Sequence, residues 1–313
     1  MKKTPFTFIM LSAMYENGGN TTHRLLDGHP ELFVYPFESQ PGTKYVNDFL
    51  SSLYPLKYRW PVFPGSANAE EMYELIIDEE AKVRSKTPYV SKFRTAAFEL
   101  SDKDRKADFV KFLKGKVLSR ANAMEAFFRA TFTAWKNHNR SGKEKAWVGY
   151  SPIIGVDGDK IINDFAGKAH VLHVVRNPFS AYADTKKRAV PLSIAHYMTG
   201  WVNCQYFSLL FAQKFPNNYH VVRYEDIIHD KVGTLSSVLK KAGISSSKTL
   251  AYPSWNGELL KEVYPWGTVR IPTEEVNLQT AKELSKAEIS EIHERTKNYI
   301  DLLDFSSIAK KIM

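Results

Sequence analysis

Apolar positions along this chain alternate between short continuous runs and helical stripes. Residues 6–11 form a Thr-, Phe- and Ile-rich run that suits a buried strand. Residues 32–34, 146–149 and 219–222 read as further short strands, and residues 170–175 as a much stronger one. Helical spacing marks residues 21–26, where Asp27-Gly28-His29-Pro30 supplies the stop. It recurs over 68–83, with Asn68 as N-cap and Met72, Leu75 and Ile76 on one face. Ser101 opens a helix running to residue 113, and residues 121–136, 178–188 and 192–215 read as helices. Another helix follows Asp226 and runs to residue 242. Ser285 and Glu288 are spaced as a capping box for a closing helix to residue 303. Residues 255–280 read as irregular. The alternation predicts an α/β protein, described most simply as one domain over 1–313 with a helical insertion at roughly 42–139.

A hydrophobic share of 43% and a charged share of 25% are ordinary for a globular chain of 313 residues and argue against disorder. The net charge is +9, yet the basic residues form no single block, so no nucleic-acid footprint is indicated. A positive field focused in one cleft suits a phosphorylated small molecule. The longest basic cluster is Lys186-Lys187-Arg188. Cys204 is the only cysteine, which excludes an intrachain disulfide and a Cys-based zinc site. The histidines show no metal-ligand spacing, so no metal is expected. The first residues imitate a signal peptide but lack a small-x-small cleavage pattern, and nothing else approaches a membrane span. The expectation is a reducing, cytoplasmic location without membrane contact.

Two stretches carry the candidate chemistry. Tyr15-Glu16-Asn17-Gly18-Gly19-Asn20-Thr21-Thr22-His23 lies between a strand and a helix, where backbone amides and hydroxyls at a helix start suit an anion. The same residues read equally as a glycine-rich turn with a threonine cap. The Walker spacing and its lysine are absent, which counts against a nucleoside triphosphatase or nucleotide kinase. In His173-Val174-Val175-Arg176-Asn177-Pro178, Arg176 ends a strand at the edge where open α/β sheets bind ligands.

Taken in order with Leu25-Leu26-Asp27-Gly28-His29-Pro30 and Arg223-Tyr224-Glu225-Asp226-Ile227, these stretches make the chain resemble the sulfotransferases that use 3′-phosphoadenosine 5′-phosphosulfate (PAPS). The likeness covers residues 6–29 and 168–242, with a looser tail. It implies a parallel sheet flanked by helices, a P-loop-like sulfotransferase architecture, with PAPS as donor and adenosine 3′,5′-bisphosphate (PAP) as product. It also implies a hydroxyl or amine acceptor on a small molecule. By the resemblance Gly18, Gly19, Asn20, Thr21 and Thr22 would cradle the 5′-phosphosulfate, Arg176 would bind the 3′-phosphate, and Glu38 would act as base. Thr268 and Arg270, in a late Gly-plus-basic segment, would be second contacts to the 3′-phosphate.

Two departures from the family pattern stand out. The lysine or arginine before the family's loop is replaced by Glu16 or Gly18, depending on the alignment. His23, Arg24, Lys44 and Lys92 are the candidates to replace it, with His23 as imidazolium preferred. The serine eight residues after the family's strand-ending arginine is replaced by Asp184, and Thr185 is the expected hydroxyl donor in its place. The alternative readings are a nucleotide-binding relic or non-catalytic module of the same fold, and a nucleotide kinase-like enzyme.

Overall fold

The computed structural model describes residues 6–91, 93–260 and 273–313, with the backbone of 263–264 and 267–268. In chain order the described elements begin with β1 (Thr7–Ala13), α1 (Gly19–Leu26) and β2 (Leu32–Val34). The insertion supplies α2 (Ala69–Leu75), α3 (Glu79–Lys86), α4 (Asp102–Leu113) and α5 (Arg120–Ala134). Then come β3 (Ala146–Tyr150), α6 (Gly158–Asp164), β4 (Ala169–Val175), α7 (Pro178–Thr185), α8 (Ile194–Lys214) and β5 (Tyr219–Arg223). The chain closes with α9 (Tyr224–His229), α10 (Lys231–Lys241), α11 (Glu274–Ala281), α12 (Lys286–Ile300) and α13 (Ser306–Ile312).

The five named strands form one sheet of order β2-β3-β1-β4-β5, and every pairing is parallel. Strand β1 is central because both of its faces are apolar. Phe8 and Met10 pack with the insertion, against residues such as Tyr73, Phe109 and Phe128. Ile9, Leu11 and Ala13 face the opposite layer, with Leu25, Ile227 and Leu235 from α1, α9 and α10. A strand covered by helices on both sides reads as a continuous apolar run, which is what residues 6–11 show. The chain leaves β1 toward β2 on one side, while β4 and β5 extend the sheet on the other. The carboxyl ends of β1 and β4 therefore adjoin where the winding reverses, the place where such sheets form a crevice.

The helix expected over 68–83 is two helices with a break at Ile76–Asp78. The amides of Ile77 and Asp78 bond the carbonyls of Gly42 and Gln40 at 2.9 and 3.0 Å instead of continuing the helix. Fully buried Asp78 accepts from the Tyr35 hydroxyl and from Arg105 Nη1, both at 2.7 Å, so a buried ion pair outranks helical propensity here. The expected irregular stretch also contains α11, whose N-cap Thr273 accepts from the Val276 amide. No helix among the described residues is long and apolar enough to cross a membrane.

Candidate active site at the ends of β1 and β4

The turn after β1 is built by two left-handed residues, Glu16 (φ 59°) and Gly18 (φ 86°). Gly18 is also the N-cap of α1, and having no side chain it makes no cap hydrogen bond. A helix start left in this state directs its first-turn amides outward. The glycines have a packing reason as well. A Cβ on Gly18 would stand 2.1 Å from the Tyr224 ring, and one on Gly19 would stand 2.5 Å from the Tyr150 hydroxyl.

Asn17 joins this turn to the next strand. Its Oδ1 accepts from the Arg176 amide at 2.9 Å, and its Nδ2 donates to the Tyr15 carbonyl and the Tyr197 hydroxyl. Arg176 follows the last residue of β4 and is almost wholly buried. Its Nε donates to Asn277 Oδ1 at 2.7 Å, and its Nη1 donates to the Glu16 carbonyl at 3.0 Å and to Asp184 Oδ2 at 2.8 Å. Its Nη2 makes no hydrogen bond among the described residues, and the guanidinium lies 5.4 Å over the Tyr224 ring. Glu225 Oε1 accepts from both nitrogens of Asn177 and from Asn277 Nδ2, locking the strand-end arginine motif to the Arg-Tyr-Glu-Asp motif.

The charges around the turn form a cluster. Asp184 is held by Arg176 on one side and by Lys187 Nζ at 3.3 Å on the other. Glu16 faces Arg188, whose Nη1 lies 3.4 Å from its carboxylate and whose guanidinium sits 5.0 Å over the Tyr15 ring. Desolvation against the turn raises the Glu16 carboxyl above its ordinary range, and nearby Asp184 adds to the rise against the pull of Arg188.

Glu38 enters from the other side. The Ser39 amide donates to the Tyr150 carbonyl at 2.7 Å, which carries the segment past the end of β3. The half-buried Glu38 carboxylate accepts from Gln40 Nε2 at 3.1 Å and acts on the phenols of Tyr15, Tyr58 and Tyr150, helping burial to raise all three. Tyr150 is thus close to Gly19 and within the electrostatic reach of this carboxylate.

Several expected residues sit elsewhere or differently. His23 is buried with Arg24 Nη2 2.6 Å from its Nδ1; burial first and that guanidinium second lower its pKa well below the ordinary value, which disfavours the imidazolium expected at the loop. Arg24 is itself buried, 4.0 Å from Asp27 and stacked on Trp255. Thr185 is fully buried and donates to the Ala181 carbonyl one turn back, so its hydroxyl is not turned toward Arg176 as expected. Thr22 likewise donates to the Gly18 carbonyl, while Asn20 and Lys44 are exposed. Thr21 lies beside the Tyr224 phenol and counters the rise in its pKa that burial causes. Lys92, Arg270 and the side chain of Thr268 lie outside the described residues. Sequence reasoning missed Asn17, Asn277, Tyr224 and Arg188. Asn17 and Tyr224 lay inside the sequence motifs and Arg188 in the basic cluster after the strand-end motif, each without an assigned role, whereas Asn277 carried no signal.

Solved structures with a similar fold include a sulfotransferase domain from the curacin biosynthetic pathway. It is 13% identical, with a TM-score of 0.52, and the match covers 94% of this chain and 99% of that one. Two others are a sulfotransferase domain from the Synechococcus PCC 7002 olefin synthase and a sulfotransferase from Mycobacterium tuberculosis. The former is 17% identical at a TM-score of 0.43, covering 90% of this chain and 95% of that one. The latter is 16% identical at 0.38, covering 90% and 78%. No family model and no curated protein matches the sequence. The likeness to the curacin-pathway domain carries the fold: a parallel α/β sheet flanked by helices, arranged as in a sulfotransferase domain.

Proposed function

We propose that this chain transfers a sulfuryl group from PAPS to a hydroxyl or amine of a small-molecule acceptor. The observation that carries the reading is Asn17, which ties the uncapped start of α1 to Arg176 at the end of the adjoining strand. One helix start and one buried guanidinium are thereby brought to adjoining strand ends, a pairing that suits a donor with two separated anionic groups.

Sulfuryl transfer is an in-line displacement dominated by positioning and electrostatics, as in phosphoryl transfer. The amides of Gly18 to Thr22 hold the 5′-phosphosulfate. Arg176 offers its remaining amino group, Nη2, to the 3′-phosphate. The phosphate takes over part of the Asp184 contact, and Asp184 stays compensated by Lys187. Glu38, beside Tyr150 and next to the loop, takes the acceptor proton.

A second reading, a nucleotide-binding chain without turnover, draws on the carboxylates of Asp184 and Glu16 at the two anion positions. Thermal unfolding with PAP and with ATP, followed by turnover of PAPS with mixed acceptors, separates the cases. Stabilisation by PAP and not ATP, with PAP released from PAPS, supports transfer. Stabilisation without release supports the second reading, and stabilisation by neither removes both.

A further inference from the structure

The loop after β1 has no lysine or arginine of its own, yet charge builds on the bridging oxygen as the sulfur–oxygen bond breaks. Among the described cations near this end of the sheet, Lys187 is held between Asp184 at 3.3 Å and Glu283 at 2.6 Å. Arg24 is buried away from solvent beside His23 and Asp27. Arg176 is committed to Asn277, the Glu16 carbonyl and Asp184. Lys57 pairs with Glu79 at 2.7 Å. Arg188 is the one among them whose charged group forms an ion pair with a side chain of the loop itself, the Glu16 carboxylate, and it rests on the ring of the preceding loop residue, Tyr15.

We propose that Arg188 is the cation that stabilises the transferring sulfuryl group, supplied from beyond the end of α7 in place of a loop lysine. This rests on the sulfuryl-transfer reading above. Glu16 parks the guanidinium against the loop before the donor arrives. Its left-handed backbone turns its carbonyl to Arg176 while its carboxylate meets Arg188, so one residue gathers both guanidinium groups. The Arg188 side chain is 45% exposed, so exchanging the Glu16 carboxylate for the donor's anion costs little desolvation. Arg188 also acts on the phenols of Tyr15 and Tyr58, two of the three that feel Glu38, which puts cation and base around one space.

In the step itself the acceptor oxygen or nitrogen forms a bond to sulfur, and its proton passes to Glu38. The bond from sulfur to the bridging oxygen breaks, and its electron pair stays on that oxygen, now a terminal oxygen of the 5′-phosphate. Arg188 donates hydrogen bonds to this oxygen and keeps its protons.

The test compares wild type, Arg188→Ala, Arg188→Lys and Lys57→Ala for PAPS turnover and for PAP affinity by calorimetry. Arg188→Ala should lose roughly 10²–10³-fold in kcat, with a smaller loss of PAP affinity, because PAP keeps the former bridging oxygen on its 5′-phosphate but not the sulfuryl group. Arg188→Lys should recover part of the loss, and added guanidinium should partly rescue Arg188→Ala. A folded, PAP-binding Arg188→Ala that turns over like an active wild type overturns the assignment alone. So does a loss confined to Lys57→Ala. A wild type inert toward PAPS overturns the transfer reading together with it.

Discussion

Arg176 and Asp184 form an ion pair at 2.8 Å, eight residues apart, with Asp184 placed where the resemblance expects a serine. The guanidinium proposed for the 3′-phosphate thus already holds an anion. Asp184→Ser should tighten PAP binding about tenfold, or ~1.4 kcal/mol, by removing a like charge from the phosphate. Binding of adenosine 5′-monophosphate should stay unchanged. Titration calorimetry reads both, and an unchanged PAP affinity would detach the 3′-phosphate from Arg176.

Glu38 lies at the loop as a half-buried carboxylate among three phenols. Glu38→Gln keeps its size and its bond to Gln40 while removing the base, and turnover of PAPS should fall roughly 10²–10⁴-fold. PAP affinity should move little. Near-normal turnover in this variant would pass the role to another group.

Gly18 combines a left-handed backbone with a ring pressed against its α-carbon. Gly18→Ala should cost about 3 kcal/mol or more in denaturant unfolding, from strain and overlap with Tyr224 together. A cost below about 1 kcal/mol would mean that Tyr224 moves aside freely.

How much of this was legible in the sequence varies by residue. The strands of the sheet were readable because β1 and β4 are apolar on both faces, and the capping box at Ser285 and Glu288 formed as spaced. The break at Asp78 was not, because its cause is a contact with Arg105 and Tyr35, far away in sequence. The Leu-Leu-Asp-Gly-His-Pro motif was read as a family mark. In the fold, Asp27 accepts from Ser254 and from the Gly257 amide, so the motif staples the helix end to a later turn. Arg176 was found by its strand-end position, whereas its partner Asn277 sits on a helix the sequence did not suggest. The burial of His23 was not legible, because sequence position at a helix start does not tell which way a side chain points.

Burial holds His173 neutral, down to about 4 from an ordinary 6.5, between Gln205 and Ser12. Because its folded pKa is depressed, the unfolded chain takes up the proton first as pH falls. Its contribution is intact above pH 6.5 and declines below it, by about 2 kcal/mol at pH 5. His173→Gln should therefore flatten the fall in stability between pH 6.5 and 5, measured by chemical unfolding. An unchanged slope would mean that His173 is protonated in the folded state.

The central claim is tested most directly by incubating the protein with PAPS and a pool of hydroxyl- and amine-bearing small molecules, then following PAP release and product mass together. Acceptor-dependent PAP release, matched by a product heavier by one sulfuryl group and lost in Arg176→Ala, is the predicted result. PAPS left intact, by a folded protein that PAP does not stabilise, would contradict the account.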